Sequence, residues 1–112
     1  MTGLYSHQNG LMGLANFGWE LFPNVPHLAQ RLRDHGYETH LFGFQHETDG
    51  PPERLGYKYV HKPPNNNVDV VCRELLAFLR DDAAKSSPWF ACAGFKHVHR
   101  PWRNTPSFDP NE

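Results

Sequence analysis

Twice along the chain, a helical rhythm of apolar and polar positions gives way to a nearly continuous apolar run. In the first unit Val25, Leu28, Ala29 and Leu32 fall at the i, i+3, i+4, i+7 spacing that lines one helix face. Asn24 stands where an N-cap is expected, Pro26 is tolerated in a first turn, and Gly36 ends the helix. The segment Tyr37–Gly43 (YETHLFG) then predicts a strand, aromatic and β-branched at its start and apolar at its end. In the second unit Asn67 is the expected cap of a helix whose Val68, Val71, Cys72, Leu75, Leu76 and Leu79 make a continuous stripe. Ser86–Pro88 interrupts it, and Trp89–Phe95 (WFACAGF) is apolar at almost every position. A run of that kind suits a strand of a parallel sheet covered on both faces.

Residues 45–66 form a long connection built from Pro, Gly and Asn clusters, within which GYKYVHK predicts a short edge strand. Connections of that length inside a compact domain are usually functional or disordered. Residues 104–112 predict an irregular tail, and there is no internal repeat. Helix, strand, helix, strand predicts an α/β fold with parallel neighbours and right-handed crossovers. In such sheets ligands collect outside the carboxyl ends of the strands. The first strand runs into His46 and Glu47, and the second into Lys96, His97, His99, Arg100 and Arg103. If the strands are neighbours, these groups meet at one edge of the sheet.

Composition narrows the picture only slightly. A chain of 112 residues has room for one small domain with a modest core. The net charge of -1 gives no reason to expect nucleic acid or an anionic membrane as partner. No apolar run approaches the ~18 residues of a membrane span, and no signal peptide opens the sequence, which leaves cytoplasm as the default location. Cys72 and Cys92 sit inside a helix and a strand and are expected to be buried thiols.

Eight histidines are the chemically suggestive feature. The spacing His97-x-His99 is one that zinc sites use, although no firm third ligand accompanies it. His46 beside Glu47 is open to three readings: a metal pair, an acid/base pair, or a solvated loop. His27, His35 and His40 fall on predicted helix or strand and are expected to be surface or packing residues. His61 lies in the Pro-rich connection and carries no signal. Arg31–His35 reads as the wet face of its helix, and Trp102 after Pro101 as a loop anchor. No Gly-rich phosphate loop, G-x-S-x-G elbow or Cys–His nucleophile pairing is present.

Three segments together resemble a known family. TGLYSHQNGLMGL (2–14), HLAQRLRDHGYETHLFGFQHE (27–47) and PWFACAGFKHVHRPWR (88–103) are similar, in order and approximate spacing, to the formylglycine-dependent sulfatases of the alkaline-phosphatase-like superfamily. The likeness is nearest to the heparan N-sulfatase (sulfamidase) branch. In that family T-G-x-x-x-H-x-x-G follows the C-x-P-x-R signature, a helix-to-strand segment precedes G-K-x-H, and a later strand precedes P-H-x-P.

The resemblance implies a partial three-layer α/β fold, with parallel strands flanked by helices, and hydrolysis of sulfate esters or N-sulfates. A formylglycine hydrate attacks sulfur, a calcium ion held by carboxylates binds the sulfate oxygens, and lysines and histidines neutralise charge and protonate the leaving group. Clustered positive charge and a positioned acid are what sulfuryl transfer requires. Carried over by position, His46 corresponds to the histidine of G-K-x-H, His99 to that of P-H-x-P, and His7 to that of the first motif. His46 and His99 are thereby the expected catalytic residues, and His7, Lys96, His97 and Arg103 the expected substrate-binding ones.

Departures from the family pattern shape the expectation. Phe44 stands where the family has lysine, and Val98 where it has proline. Lys96 or His97 is the expected source of the missing charge. Neither cysteine lies in C-x-P-x-R, and the family's carboxylate metal ligands have no counterpart. The chain is therefore expected to be one partial domain (residues 1–112), an internal piece of a sulfatase catalytic domain. Calcium and formylglycine would belong to the full-length parent, and the piece alone would be inactive. The implied partner is a small sulfated sugar or aryl substrate. The apolar surface left by a few parallel strands predicts self-association. Other readings are a non-catalytic binder of anions or a protein partner, a phosphate-ester hydrolase of the same superfamily, and a histidine metal module.

Overall fold

The computed structural model describes residues 1–64, 67–81 and 86–96. Of the predicted site residues, His97, His99, Arg100 and Arg103 lie outside the described residues, as does the tail 104–112.

Among the described residues three parallel strands form the centre: β1 (Glu38–Gly43), β2 (Tyr59–His61) and β3 (Trp89–Gly94), in the order β2-β1-β3. β1 pairs with β2 from His40↔Tyr59 to Phe42↔His61, and with β3 from Glu38↔Trp89 to Gly43↔Gly94. The predicted parallel neighbours are thus the pair β1 and β3, and GYKYVHK contributes the short edge strand β2.

Alternation along β1 sends its side chains to two different cores. Leu41 packs with Ala29, Leu55 and Tyr57 on one face, and Phe42 with Val71 and Phe78 on the other. Ala29 belongs to α2 (Leu28–Asp34), and Val71 and Phe78 to α3 (Val68–Arg80), so one helix covers each face. The protein is of mixed α/β class, with a small parallel sheet between helices.

The strand covered on both faces is β1, not the more apolar β3. Phe90 and Cys92 reach one core, and Ala91 and Ala93 the other, but all four stay only half-buried. Position decides this, because β3 has β1 on one side only among the described strands. Cys72 and Cys92 are half-buried as well, less enclosed than expected.

The cap of the first helix differs from expectation. His27, not Asn24, caps α2: its backbone is extended and its Nδ1 accepts the amide of Ala29 at 3.1 Å. Pro26 disfavours helical backbone at Val25, so the helix cannot begin at Asn24. Asn24 instead lies in a turn closed by Val25 N–H donating to the Phe22 carbonyl at 3.0 Å. Asn67 is the N-cap of α3, as expected, with the extended backbone of a cap residue. The apolar stripe of α3 is also narrower than predicted. Val71 and Phe78 are buried and Leu75 is half-buried, while Val68, Leu76 and Leu79 are exposed. The three described strands do not reach far enough to cover them.

The long connection is more ordered than its composition suggests. A 3-10 turn (Pro52–Leu55) leads into buried Leu55, Gly56 and Tyr57 before β2 begins. Gly56 has φ +98°, and a Cβ there would overlap the Gln30 backbone, so glycine lets the connection pass beneath α2. Among the described residues no helix is long and apolar enough to cross a membrane.

Candidate functional site at the carboxyl edge of the sheet

The paired glycines Gly43 and Gly94 mark where β1 and β3 leave the sheet side by side. The amide of Phe44 donates to the Gly94 carbonyl at 2.9 Å, and a Cβ on Gly94 would overlap the Phe44 carbonyl oxygen. Only a residue without a side chain allows the two exits to run this close. Past them the chain carries half-buried His46 after β1 and exposed Lys96 after β3. The two strand ends thus lie side by side, as parallel neighbours require.

Between the turn after β1 and the end of β2 lies an open cleft of ≈ 380 Å³. Phe44, His46, Thr48, Asp49, Lys62 and Asn16 are among the residues that line it. The His46 ring stands edge-on to Phe44, with centroids 4.5 Å apart. His7 and Lys96 do not line this cleft. His7 is exposed on α1 (Ser6–Asn9), where its ring stacks on Tyr5 at 5.9 Å.

The turn that carries His46 is organised by a residue with no obvious sequence signal. Gln45 Oε1 accepts the amides of Glu47 at 2.6 Å and Thr48 at 3.0 Å, while its Nε2 donates to the Thr48 carbonyl at 2.9 Å. Thr48 Oγ1 in turn accepts the Gly50 amide at 3.0 Å. Side-chain bonds of this sort replace a regular ladder and hold a loop in one shape.

Glu47 is not the partner that its neighbour His46 suggested. Its Oε2 lies 3.0 Å from Nε2 of His27, and its Oε1 lies 2.6 Å from the amino group of Met1. The His27 hydrogen bond, aided by the amino group and opposed by burial, holds the Glu47 carboxyl down at about 2. His27 itself is 1% exposed. Its Nδ1 accepts from Ala29, so Nε2 carries the proton given to Glu47. Both ring nitrogens are engaged, and the pair works as a brace between α2 and the turn after β1, not as an acid/base couple.

A second histidine pair escaped sequence reasoning altogether. Nδ1 of His40 lies 3.1 Å from Nε2 of His61, and the His61 ring stacks on Phe42 at 4.0 Å. His40 is 5% exposed and packs on Phe78 and Tyr59, with ring centroids 4.5 and 4.7 Å away. Burial pushes both imidazoles below the ordinary histidine value. Only the β1–β2 register, which puts His61 opposite Phe42, brings the two together. Among the described residues no three His, Cys, Asp or Glu side chains gather in a way that could hold a metal ion.

No family model, no curated protein and no solved structure matches this chain. Its class is set by the fold: an α/β protein that presents polar side chains where two parallel strands end.

Proposed function

We propose that this chain carries one wall of the oxyanion pocket of a sulfatase, a hydrolase of sulfate esters or N-sulfates. The observation that supports the reading best is His46, which leaves the central strand into a cleft at the carboxyl edge, beside the strand that leads to Lys96. In this reading His46 donates to a sulfate oxygen or to the departing atom. Lys96, His97 and Arg103 neutralise charge, His99 assists the leaving group, and His7 contributes from the periphery. The turn braced by Gln45 and by the His27–Glu47 pair holds the His46 backbone in place before any ligand arrives, as a preorganised donor requires. Calcium and a formylglycine nucleophile would complete the reaction in a full-length parent. Cys72 and Cys92 lack the sequence context of a formylglycine precursor, so the proposal assigns this chain binding without turnover.

The test is a titration of the chain, labelled at histidine, with sodium sulfate replacing chloride at constant ionic strength. A saturable shift of the His46 ring signals, with millimolar affinity and lost in His46→Ala, is expected. No nitrophenolate should be released from 4-nitrophenyl sulfate. Absence of a saturable His46 response would overturn the reading, and a response to phosphate but not to sulfate would move it to phosphate esters.

A further inference from the structure

Lys62 also lines the cleft that holds His46, and it approaches from a different strand. We propose that Lys62 supplies the cation of this cleft, with His46 on the facing wall, and that the two together select a compact tetrahedral oxyanion. The inference rests on the oxyanion reading and adds the residue that provides its charge.

Three observations carry it. The last pair of the β1–β2 ladder is Phe42↔His61, so Lys62 leaves β2 at the level where Gly43 ends β1. Both walls therefore open at the same carboxyl edge of the sheet. Lys62 is followed by Pro63 and Pro64, and a residue before proline is confined to extended backbone. The direction in which its side chain departs is thus restricted without any partner to hold it. Finally, Lys62 is exposed and enters no ion pair among the described residues, whereas Lys58 is bound to Glu38 at 3.1 Å. Phe44, which leaves β1 into the same cleft, packs its uncharged ring against His46. Charge for an anion must then come from across the cleft, and β2 provides it.

Asp49 lines the same cleft and has the opposite sign, which gives the inference a second handle. An anion held by Lys62 is repelled by Asp49, so removing that carboxylate should strengthen binding.

The experiment repeats the sulfate titration at constant ionic strength on the wild-type chain and on Lys62→Gln, Lys96→Gln and Asp49→Asn. All three substituted residues are exposed, and an unchanged amide spectrum confirms that each variant folds. Lys62→Gln is expected to weaken sulfate binding roughly tenfold, the effect of one charge at close range near a protein surface. Lys96→Gln, at a residue that does not line the cleft, should weaken it less than Lys62→Gln does. Asp49→Asn should tighten it. Unchanged affinity in Lys62→Gln, or weakened affinity in Asp49→Asn, overturns the assignment while the oxyanion reading stands. If wild-type His46 shows no saturable response, the reading and the assignment fall together.

Discussion

His27 joins two functions in one buried ring. It caps α2 through Nδ1 and braces the turn after β1 through Nε2. Replacing it with alanine removes a cap worth ~1 kcal/mol and a charge-assisted bond worth ~2 kcal/mol. Urea denaturation of His27→Ala should therefore show a loss of about 2–3 kcal/mol. Glu47 gives the same brace a pH signature. Its carboxyl is held near 2 when folded, against 4.5 as the ordinary value, so the folded state favours the ionised form. The stability it contributes is present above pH 4.5 and drains away as the pH falls toward 2. Glu47→Gln should flatten that part of the acid denaturation curve. Tyr57 makes an opposite case. Its hydroxyl is buried with no partner of good geometry, only the weak one that the nearby Cys92 thiol offers, and burial, then Cys92, raise its pKa. Removing an unsatisfied polar atom while keeping the ring leaves the packing intact. Tyr57→Phe should melt at the same temperature as the wild type or higher.

At the scale of elements, the β1–β2 pair contains an acid-sensitive joint. His40 and His61 lie ring to ring in the aromatic cluster of Phe42, Phe78 and Tyr59. Glu38 favours the charged form of His40, Lys58 disfavours it, and Glu74 favours that of His61, but burial outweighs these in both rings. A histidine whose folded pKa is depressed binds fewer protons folded than unfolded. Stability should therefore be full above the ordinary value of 6.5 and fall as the pH drops below it. Thermal melts between pH 7.5 and 5 should show this decline, and His40→Leu should reduce it. None of this is legible in the sequence, where His40 reads as a surface or packing residue and His61 as loop. The helix–strand units were legible, because periods of 3.6 and of continuous apolar residues survive in a single chain. What failed was phase and boundary. Pro26 moved the start of α2, and the narrow sheet left Leu76 and Leu79 of the α3 stripe outside the core.

For the whole molecule, the exposed apolar side chains set the solution behaviour. Leu76, Leu79, Trp89 and Phe95 are all more than a third exposed, on α3 and around β3. Surfaces of that kind favour association. Sedimentation should show weight-average mass rising with concentration, and Leu76→Lys combined with Leu79→Lys should suppress the rise. A stable monomer across the range would contradict the expectation. By itself the sequence determined the α/β class, the parallel relation of β1 and β3, and the edge of the sheet at which the two strands exit. These follow from local periodicity and from the direction of parallel strands, which need no knowledge of distant contacts. The tertiary structure alone decided which charges share a cleft. It joined Glu47 to His27 across twenty positions and brought Lys62 into the cleft that His46 lines. Such pairings depend on strand order and register, and a one-residue change in register would send every side chain of β2 to the other face.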